Sequence, residues 1–406
     1  MEYTEAQKIS EFVCQNIHCD PVKLRLKWHN RIGSLPPHID LAITQIECRQ
    51  RTSKKLPTLN ADPLFMYPST LSAEQCTSEP VAQLHAQVVG KATSMIDLTA
   101  GLCVDAYYIA ANVKHVVAVE RDSITAEISR YNMRRMRPNI EVVCTDCRQY
   151  LADIVSNNSS VDVIFIDPAR RNTATSRRVF GLSDCEPDVT QMLPMMARIA
   201  HRIYVKTSPM LDIQMGIKQL VGTTDVRIIA IRNECRELFF SLDTDKRSED
   251  ITLHCININA DGKLQTLAFK YGENDTCLCL NPDEPIGEWV YEPNAAIMKA
   301  TAFSPLQKLY AMPMLAPMSH LFTSNTSFSD FPGRRYRVIG CATLKSRELN
   351  SLIPTDRKAN VTVRNFPLTA PQLTKFLRVV NGGNTHIIGT TTANGSHILI
   401  FTTLES

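Results

Sequence analysis

The sequence predicts an α/β protein built around a parallel β-sheet. From Ser94 onward, short apolar runs alternate with segments of helical periodicity, beginning with SMIDL and VDAYYIAANV and ending with RIYVKTS. Because parallel strands need crossover helices, this alternation indicates repeated βα units. Little helix separates the later apolar runs VRIIAIR, ELFFSL and ITLHCININ. These runs predict terminal strands, of which at least one is antiparallel.

Two regions of different character flank the predicted sheet. Residues before about 90 show helical spacing without strong strands, and EPNAAIMKATAFSPLQKL predicts one helix after the sheet. The last part has an α+β pattern that ends in two strands joined at Asn394-Gly395, a strong hairpin signal. The predicted domains are a helical N-terminal domain (1–90), the sheet domain (91–271), a small connecting domain (272–330) and an α+β domain (331–406).

Bulk composition indicates a globular protein. The chain has 406 residues, of which 44% are hydrophobic and 21% charged. No segment approaches the roughly 18 uninterrupted apolar residues of a membrane span, and the N-terminus lacks the basic and apolar regions of a signal peptide. The thirteen cysteines lack zinc-type spacing, which favours reduced thiols over a metal site or a redox pair. We therefore expect a cytoplasmic protein without a metal.

Charge is distributed unevenly along the chain. The formal net charge is +3, but the segment Asp330–Ser406 holds ten Lys and Arg against four Asp and Glu, so the remainder is slightly negative. A basic terminal module suggests a polyanionic partner such as RNA. A solvated basic surface would explain the same excess.

The segment DLTAGLCVD, Asp97–Asp105, predicts a strand followed by a turn and a helix. A dinucleotide-binding loop needs three glycines at this point so that backbone amides can surround a pyrophosphate, and this loop has only Gly101. A cofactor without phosphates, held by its amino-acid end and its ribose, fits better. A positive φ at Cys103 would cost about 1–3 kcal/mol of strain.

Carboxylates follow successive strands of the predicted sheet. Glu120 ends the second strand, and Asp146 and Asp167 follow the third and fourth, in addition to Asp97 after the first. Ligands of this topology bind outside the carboxyl ends of the strands, so the four side chains are expected to converge. Four carboxylates repel the phosphates of NAD or ATP and suit the cationic S-adenosylmethionine. Each one alone could instead be a structural cap.

The segment FIDPARR predicts a second site at the end of the fourth strand. Pro168 fixes the exit from the strand, and Asp167 can accept a hydrogen bond from a nucleophilic nitrogen. Arg170 and Arg171 offer planar donors for a substrate phosphate, or are solvated loop arginines. Lys206, which ends the strand RIYVKT, either borders the substrate or marks a plain strand exit.

Taken in this order, residues 94–210 resemble the class I S-adenosylmethionine-dependent methyltransferases. More narrowly, the chain is similar to a bacterial group of methyltransferases with a C-terminal THUMP-like domain. The resemblance implies a Rossmann-like methyltransferase sheet with a helical N-terminal domain and a small α+β C-terminal domain. The matching segments are EQCTSE, DLTAGLCVD, FIDPARR, YVKTSPMLD, ECREL, DFPGRRYRV and the final α+β module.

The resemblance also implies roles for individual residues. Asp167 and Pro168 would lie beside the methyl acceptor, and the THUMP-like domain implies an RNA substrate. Substrate contacts would come from Arg170, Arg171 and Lys206. The implied cofactor contacts are Asp97, Thr99 and Gly101 at the methionine end, Asp105 closing the loop, Glu120 at the ribose and Asp146 at the adenine amine.

Two departures from the family pattern leave the substrate open. Cys103 replaces the glycine that the group prefers. The second site lacks the aromatic residue that stacks on a flipped base and has Ala169 and Arg170 instead. An arginine plane could stack in its place, or the target is not a base. We predict methyl transfer to a nitrogen of RNA; the alternatives are a methyltransferase for a small molecule or protein, and a non-catalytic RNA-binding protein with a decayed cofactor site.

Overall fold

The computed structural model describes residues 3–32, 37–170, 181–245, 250–273 and 275–405. The chain divides into two compact units. The first comprises Met1–Thr224 and Leu238–Glu249, and the second Asp225–Glu237 and Asp250–Ser406. The division into domains at residues 90, 271 and 330 stays a prediction. Within the described ranges, no helix is both long and apolar enough to span a bilayer.

The N-terminal part of the first unit is helical, as the sequence predicts. Side-chain oxygens cap the N-termini of several helices of this unit. The Ser69 hydroxyl, for example, accepts a hydrogen bond from the Ser72 amide at the start of α5. The helices that precede the sheet are α1 (Tyr3–Asn16), α2 (Pro21–Ile32), α3 (Pro37–Thr52), α4 (Pro57–Ala61), α5 (Thr70–Gln75) and α6 (Glu79–Val89).

Strands and helices then alternate, which confirms the predicted α/β class. The elements are β1 (Ala92–Asp97), α7 (Val104–Ile109), β2 (Val113–Glu120), α8 (Ser123–Met136), β3 (Ile140–Cys144), α9 (Cys147–Ser156), β4 (Val161–Ile166), the short β5 (Ala169–Arg170) and β6 (Cys185–Glu186), α10 (Val189–Ile199), β7 (Ala200–Thr207), α11 (Ile213–Gln219), β8 (Thr223–Ile231) and β9 (Glu234–Asp243).

The strand order of the first unit is β3-β2-β1-β4-β7-β9. All neighbours pair in parallel except β7 and β9, which are antiparallel, as the sequence predicts for a terminal strand. Because β1 lies between β2 and β4, the winding of the chain reverses there. This reversal leaves a crevice outside the carboxyl ends of the strands, where ligands of such sheets bind. Asp97, at the end of β1, pairs in register with Ala118 of β2 and Phe165 of β4.

The described part of the second unit combines strands with four short helices. β8 pairs in parallel with β10, which pairs antiparallel with β11, and a further sheet has the order β13-β12-β14-β17-β16-β15. Its elements are β10 (Thr252–Ile258), β11 (Leu264–Lys270), β12 (Trp289–Pro293), α12 (Ala295–Ala300), α13 (Phe303–Tyr310), β13 (Phe322–Ser324), β14 (Gly333–Ala342), α14 (Leu349–Leu352), β15 (Asn360–Arg364), α15 (Ala370–Leu377), β16 (Thr385–Thr391) and β17 (His397–Glu405).

Local backbone geometry explains where the second unit follows the predicted pattern and where it departs from it. The hairpin at Asn394-Gly395 joins antiparallel β16 and β17 as predicted, and Gly395 has a φ of +82°. The helix predicted over EPNAAIMKATAFSPLQKL is instead two helices, α12 and α13. The break lies at Thr301, whose left-handed φ of +51° ends α12.

The N-terminal helices share a core with the loop that follows β1. Phe65, Tyr67 and Ala82 are fully buried and form one cluster with Leu102 and Val104, the two neighbours of Cys103. Fully burying a large apolar side chain contributes about 1.5–3 kcal/mol, so this packing fixes the loop against the helices. The position of the loop therefore depends on residues far from it in sequence.

Candidate functional site

The loop between β1 and α7 contains two residues in the left-handed conformation. Gly101 has a φ of +51° and Cys103 a φ of +61°. A Cβ atom added at Gly101 would meet no atom within 4 Å, so the glycine is required by its φ rather than by space. Cys103 is fully buried, and burial raises the pKa of its thiol. Cys103 thus has the positive φ whose cost the sequence analysis considered, and a non-glycine residue bears that strain.

Asp97 is the most buried carboxylate of the loop. It is 2% exposed, and its Oδ1 accepts a hydrogen bond of 3.1 Å from the Thr99 amide. Burial raises the pKa of Asp97 to about 8, because desolvation outweighs the amide hydrogen bond, and the charges of Asp105 and Asp167 add to the rise. A cation that enters the crevice would favour the ionised form of Asp97 and lower this pKa again.

Two hydrogen bonds connect the loop to the neighbouring strands. The Gly101 amide donates to Oε2 of Glu120 at 3.0 Å, while Oε1 of the same carboxylate accepts from the Asp122 amide at 2.7 Å. On the other side, the Asp167 amide donates to Oγ1 of Thr99 at 2.6 Å. The ends of β1, β2 and β4 are thus tied together.

Asp105 lies in a buried ionic network rather than at an open loop end. Its Oδ1 is 2.8 Å from Nδ1 of His85, its Oδ2 accepts from the Thr77 hydroxyl, and Lys206 Nζ lies 3.6 Å away. Burial alone would raise the pKa of Asp105, but Lys206 and His85 together hold it well below its usual range. The His85 ring also stacks on Phe239 at 4.3 Å. Asp105 therefore stays ionised and anchors the start of α7.

Lys206 connects this network to the second predicted site. Its ammonium lies 2.6 Å from Oδ2 of Asp167 and donates to the Thr77 hydroxyl at 2.8 Å, and the residue is only 8% exposed. Such burial leaves Lys206 better placed to position Asp167 than to reach a substrate. The Asp167 side chain is 35% exposed, and Pro168 next to it is buried.

Asp146, which follows β3, is engaged by an arginine. Its carboxylate caps α9 through the Arg148 amide at 2.8 Å and accepts from the guanidinium at 3.1 and 3.0 Å. These hydrogen bonds lower the pKa of Asp146. Arg148 also pairs with Glu186 at 3.0 Å. A carboxylate has about four lone-pair sites, so Asp146 keeps acceptor capacity for an adenine amine.

The two predicted substrate arginines cannot be placed at the site. Arg171 lies outside the described residues. The backbone of Arg170 forms the short strand β5, but its side chain belongs to the undescribed part. Ala169 is exposed, and together with Arg170 it occupies the positions where related motifs have a proline and an aromatic ring. The role of the arginines in substrate binding stays a prediction.

Sequence reasoning missed Thr77 and His85. Thr77 lies in EQCTSE, a segment singled out without a role for this residue. His85 is four residues after Val81, so the helical period places it on the buried face of α6, but nothing local indicated its partner. Asp105 is 20 positions from His85 and 28 from Thr77, and only the fold brings them together.

The site fits S-adenosylmethionine better than a phosphate-bearing cofactor. The carboxylates of Asp97, Glu120 and Asp146 stand at the ends of β1, β2 and β3, and the only glycine of the loop has open space beside it. Carboxylates attract an ammonium, accept hydrogen bonds from ribose hydroxyls and repel phosphates. Among the described residues, no group of three or more His, Cys, Asp or Glu is arranged to hold a metal ion.

Comparisons with known protein families and sequences identify the C-terminal part. Residues 289–332 match a ferredoxin-like domain family, and residues 333–403 match the THUMP domain-like family. No curated protein sequence matches the chain significantly. The α+β region is therefore a THUMP-like domain preceded by a ferredoxin-like domain.

A solved structure shares the architecture over the whole chain. A protein from Porphyromonas gingivalis W83, described as a candidate methyltransferase, is 26% identical, covers 100% of both chains and has a TM-score of 0.87. Two partial similarities are a candidate SAM-dependent methyltransferase from Streptococcus mutans (13% identity, 40% of this chain and 47% of that one, TM-score 0.32) and a candidate RNA methyltransferase from Pyrococcus horikoshii (15%, 43% and 81%, 0.29). At these TM-scores the partial similarities do not establish a shared fold.

Proposed function

Because the chain belongs to the class I S-adenosylmethionine-dependent methyltransferases and ends in a THUMP-like domain, we propose that it methylates a nitrogen atom of an RNA. One observation carries the proposal. The carboxylates of Asp97, Glu120 and Asp167 lie at the ends of three neighbouring parallel strands. The Gly101 amide donates to the Glu120 carboxylate and the Asp167 amide donates to the Thr99 hydroxyl, so the loop after β1 connects these strand ends. The basic charge of Asp330–Ser406 supports RNA as the substrate.

Each carboxylate has a distinct task in this proposal. When bound, S-adenosylmethionine supplies an electrophilic methyl group on a sulfonium centre. Asp97 binds the ammonium of the methionine end, Glu120 accepts from the ribose hydroxyls, and Asp146 accepts from the adenine amine. Thr99 and Gly101 shape the loop around the methionine end. Asp105 does not touch the cofactor in this proposal; it holds the helix that follows the loop.

Asp167 orients the methyl acceptor. Lys206 holds one of its oxygens at 2.6 Å, and Pro168 fixes the backbone after β4. The carboxylate accepts a hydrogen bond from the target N–H, directs the nitrogen lone pair toward the methyl group and receives the proton that the nitrogen loses. Holding the acceptor in this geometry lowers the barrier mainly through its entropic part. A strong base is not needed, because the leaving group is a neutral thioether.

Calorimetry tests the cofactor part of the proposal. We expect S-adenosylmethionine and S-adenosylhomocysteine to bind the full chain, and Asp97→Ala and Glu120→Ala to abolish measurable binding. Glu141→Ala is the matched control, because Glu141 is an exposed carboxylate on the neighbouring strand β3. Absence of binding by the unaltered protein would refute the enzymatic function and favour a non-catalytic RNA-binding protein.

Methyl transfer is tested with labelled cofactor and total RNA. We expect label in RNA with the unaltered protein and a loss of at least about a hundredfold in Asp167→Asn, which keeps the shape but loses the charged acceptor. Asp162→Asn on the same strand, where Asp162 accepts from the Thr93 amide, should keep activity. Nucleoside mass spectrometry of RNA from a deletion strain then identifies the modified atom.

The second candidate function is methylation of a small molecule or a protein. It is favoured by the segment after Pro168, where Ala169 and Arg170 replace the proline and the aromatic ring that would stack on a base. Transfer of label to protein or to small molecules, with none to RNA, would establish it in place of RNA methylation.

A further inference from the structure

The second unit contains a polar cavity of about 230 Å³, lined entirely by residues of that unit. Its walls come from the turn between β8 and β9, the ends of β10 and β11, the residue before α12 and the start of β14. One water occupies about 30 Å³, so the cavity has room for a tetrahedral oxyanion together with waters. Residues next to the ECREL segment and within DFPGRRYRV meet here, and neither segment has a part in the methyltransferase site.

Asn294 lines this cavity and has an unpaired side-chain donor. The residue is 2% exposed, and its Oδ1 accepts hydrogen bonds of 3.1 Å from the Ala296 and Ile297 amides. Only an oxygen can accept from two backbone amides, so the orientation of the side-chain amide is determined. Its Nδ2 is buried without a hydrogen-bond partner among the described residues. A buried donor of this kind calls for an acceptor that the protein does not itself supply.

The other amides of the cavity satisfy one another. Asn257 accepts from the Asn233 amide at 2.9 Å and donates to Gln265 at 3.0 Å, and Gln265 donates to the Gly333 carbonyl at 3.0 Å. Asn233 also accepts from the Ala295 amide at 2.7 Å through its Oδ1. A further bond of 2.8 Å from Nδ2 of Asn257 to Oδ1 of Asn259 uses the second N–H of that amide, so Asn257 is held in the wall and offers no further donor.

The charge at the cavity is positive. Of the described residues that line it, none is acidic, and Arg232 and Arg334 are both exposed. Arg232 has no acidic partner in the described part of the chain. Arg334 lies 3.6 Å from Glu292, whose single charge is also bound by Arg364 at 2.5 Å. One carboxylate therefore faces two arginines, and an anion at the cavity would meet a net excess of positive charge.

We propose that this cavity binds the phosphate group of a nucleotide or polynucleotide. Guanidinium groups recognise phosphate through directed, charge-assisted hydrogen bonds, and the Asn294 amide adds a neutral donor from the buried side. The site is separate from the methyl-transfer chemistry and does not depend on it.

The test is calorimetry of the full chain with inorganic phosphate, adenosine monophosphate and adenosine. Asn294→Asp keeps an oxygen for the Ala296 and Ile297 amides, so the protein should fold normally, but it replaces the free donor with a negative charge. We expect the two phosphate ligands to bind, adenosine to bind far more weakly, and Asn294→Asp and Arg232→Gln each to weaken phosphate binding by about tenfold or more.

Asn394→Asp is the matched control, since it makes the same change at a hairpin residue that does not line the cavity. It should bind like the unaltered protein. Equal affinities for adenosine monophosphate and adenosine, or equal effects of the two Asn→Asp variants, would overturn the proposal. Short RNAs with a 5′-phosphate or a 5′-hydroxyl distinguish the source of the phosphate. If Asn294→Asp weakens binding of the phosphorylated RNA, the site is assigned to RNA. If it weakens binding of adenosine monophosphate alone, the site is assigned to a free nucleotide. Methyl transfer enters neither measurement.

Discussion

Asp97 and Asp105 lie eight positions apart on one loop and have opposite electrostatic environments. Asp97 has a backbone amide as its hydrogen-bond donor, and burial raises its pKa to about 8. Asp105 is also buried, but Lys206 and His85 lower its pKa. The two carboxylates therefore contribute to the free energy of unfolding with opposite signs at neutral pH, and pH should separate them.

We predict that Asp97→Asn gains stability over the unaltered protein as pH rises. Folded Asp97 binds its proton more tightly than the unfolded chain does, so its stabilising contribution is complete below about pH 4 and is lost as pH rises toward about 8. The asparagine does not titrate, and the difference should grow across that window. Urea unfolding at several pH values measures it.

Asp105→Asn is the matched comparison for this experiment and should lose about 3 kcal/mol at neutral pH, because His85 loses its carboxylate partner in the core and Lys206 loses one of its two. Its deficit should shrink only in strong acid, where the native carboxylate is protonated too. Equal pH profiles of the two variants would contradict the assigned environments.

Cys103 allows the strain of the loop to be measured. Both Cys103→Gly and Cys103→Ala remove the buried thiol, but only glycine adopts a φ of +61° without penalty. We expect the glycine variant to be more stable than the alanine variant by about 1 kcal/mol in urea unfolding. If the glycine variant also binds S-adenosylmethionine with unchanged affinity, the cysteine is tolerated rather than functional.

The candidate site shows what residue patterns can and cannot predict. Asp97, Glu120 and Asp167 could be predicted because parallel strands bring their carboxyl ends to one edge, a rule that needs only the strand order. The approach of Thr77 and His85 to Asp105 could not be predicted from the sequence. It depends on how α6 packs against the loop, and packing of that kind leaves no periodic signal in a single sequence.

Among the elements, the pair β12 and β14 depends on one glycine. Gly333 pairs with Pro293, and a Cβ atom at Gly333 would lie 2.9 Å from Pro293 Cα and 2.6 Å from the ring of Phe331, in contact with the Glu292 carbonyl as well. Most of these neighbours are backbone and cannot rotate away. The start of β14 therefore tolerates no side chain.

Gly333→Ala should destabilise the protein by at least about 2 kcal/mol, because the strands must separate to admit the methyl group. Gly181→Ala is the control, since its Cβ would make only ordinary contacts of 3.6 Å or more. Urea unfolding followed by tryptophan fluorescence reports on β12, which begins at Trp289. An unchanged midpoint for Gly333→Ala would show that the pairing can shift.

Elements were predictable where periodicity was strong. The alternation from β1 to β7 and the hairpin of β16 and β17 follow from apolar period and turn residues. The break between α12 and α13 was not predictable, because Thr301 in a left-handed conformation has no sequence signature; β-branched residues rarely adopt it. Tertiary contacts, not local propensity, therefore determine where α12 ends.

For the whole molecule, RNA binding should depend on a basic corner of the THUMP-like domain. Backbone hydrogen bonds join Val380 to Arg357 and Ala359 to Val380, which brings the segment before β15 beside the end of α15. This places three exposed cations together: Lys358, Lys375 and Arg378. Phosphates bind such surfaces with a strong dependence on salt.

The triple variant with glutamine at positions 358, 375 and 378 should weaken RNA binding and reduce the slope of log affinity against log salt by up to about 3, one for each lost phosphate contact. Fluorescence anisotropy across a salt series measures the slope. Three glutamines at Lys23, Lys114 and Lys263, exposed lysines outside this domain, serve as the control. Identical slopes for all three proteins would place the RNA elsewhere.

Deletion of residues 333–405 would not test cleanly whether the THUMP-like domain binds RNA. β14 pairs on one side with β12 and on the other with β17, so removing residues 333–405 leaves β12 with an open edge. Unpaired edges invite aggregation, and a loss of RNA binding could then reflect misfolding. Charge-neutral substitutions keep the sheet intact.

The shared sheet also bears on how this architecture can be rebuilt. Two family domains meet at residues 332 and 333, yet the strand that opens the second is hydrogen-bonded to the strand that opens the first. A designer who moved the THUMP-like domain onto another enzyme by cutting between residues 332 and 333 would break the backbone hydrogen bonds between β12 and β14. The smallest segment that can be transferred intact is the ferredoxin-like domain together with the THUMP-like domain, from Trp289 onward. Insertions between residues 332 and 333 should be selected against in any lineage that keeps both domains.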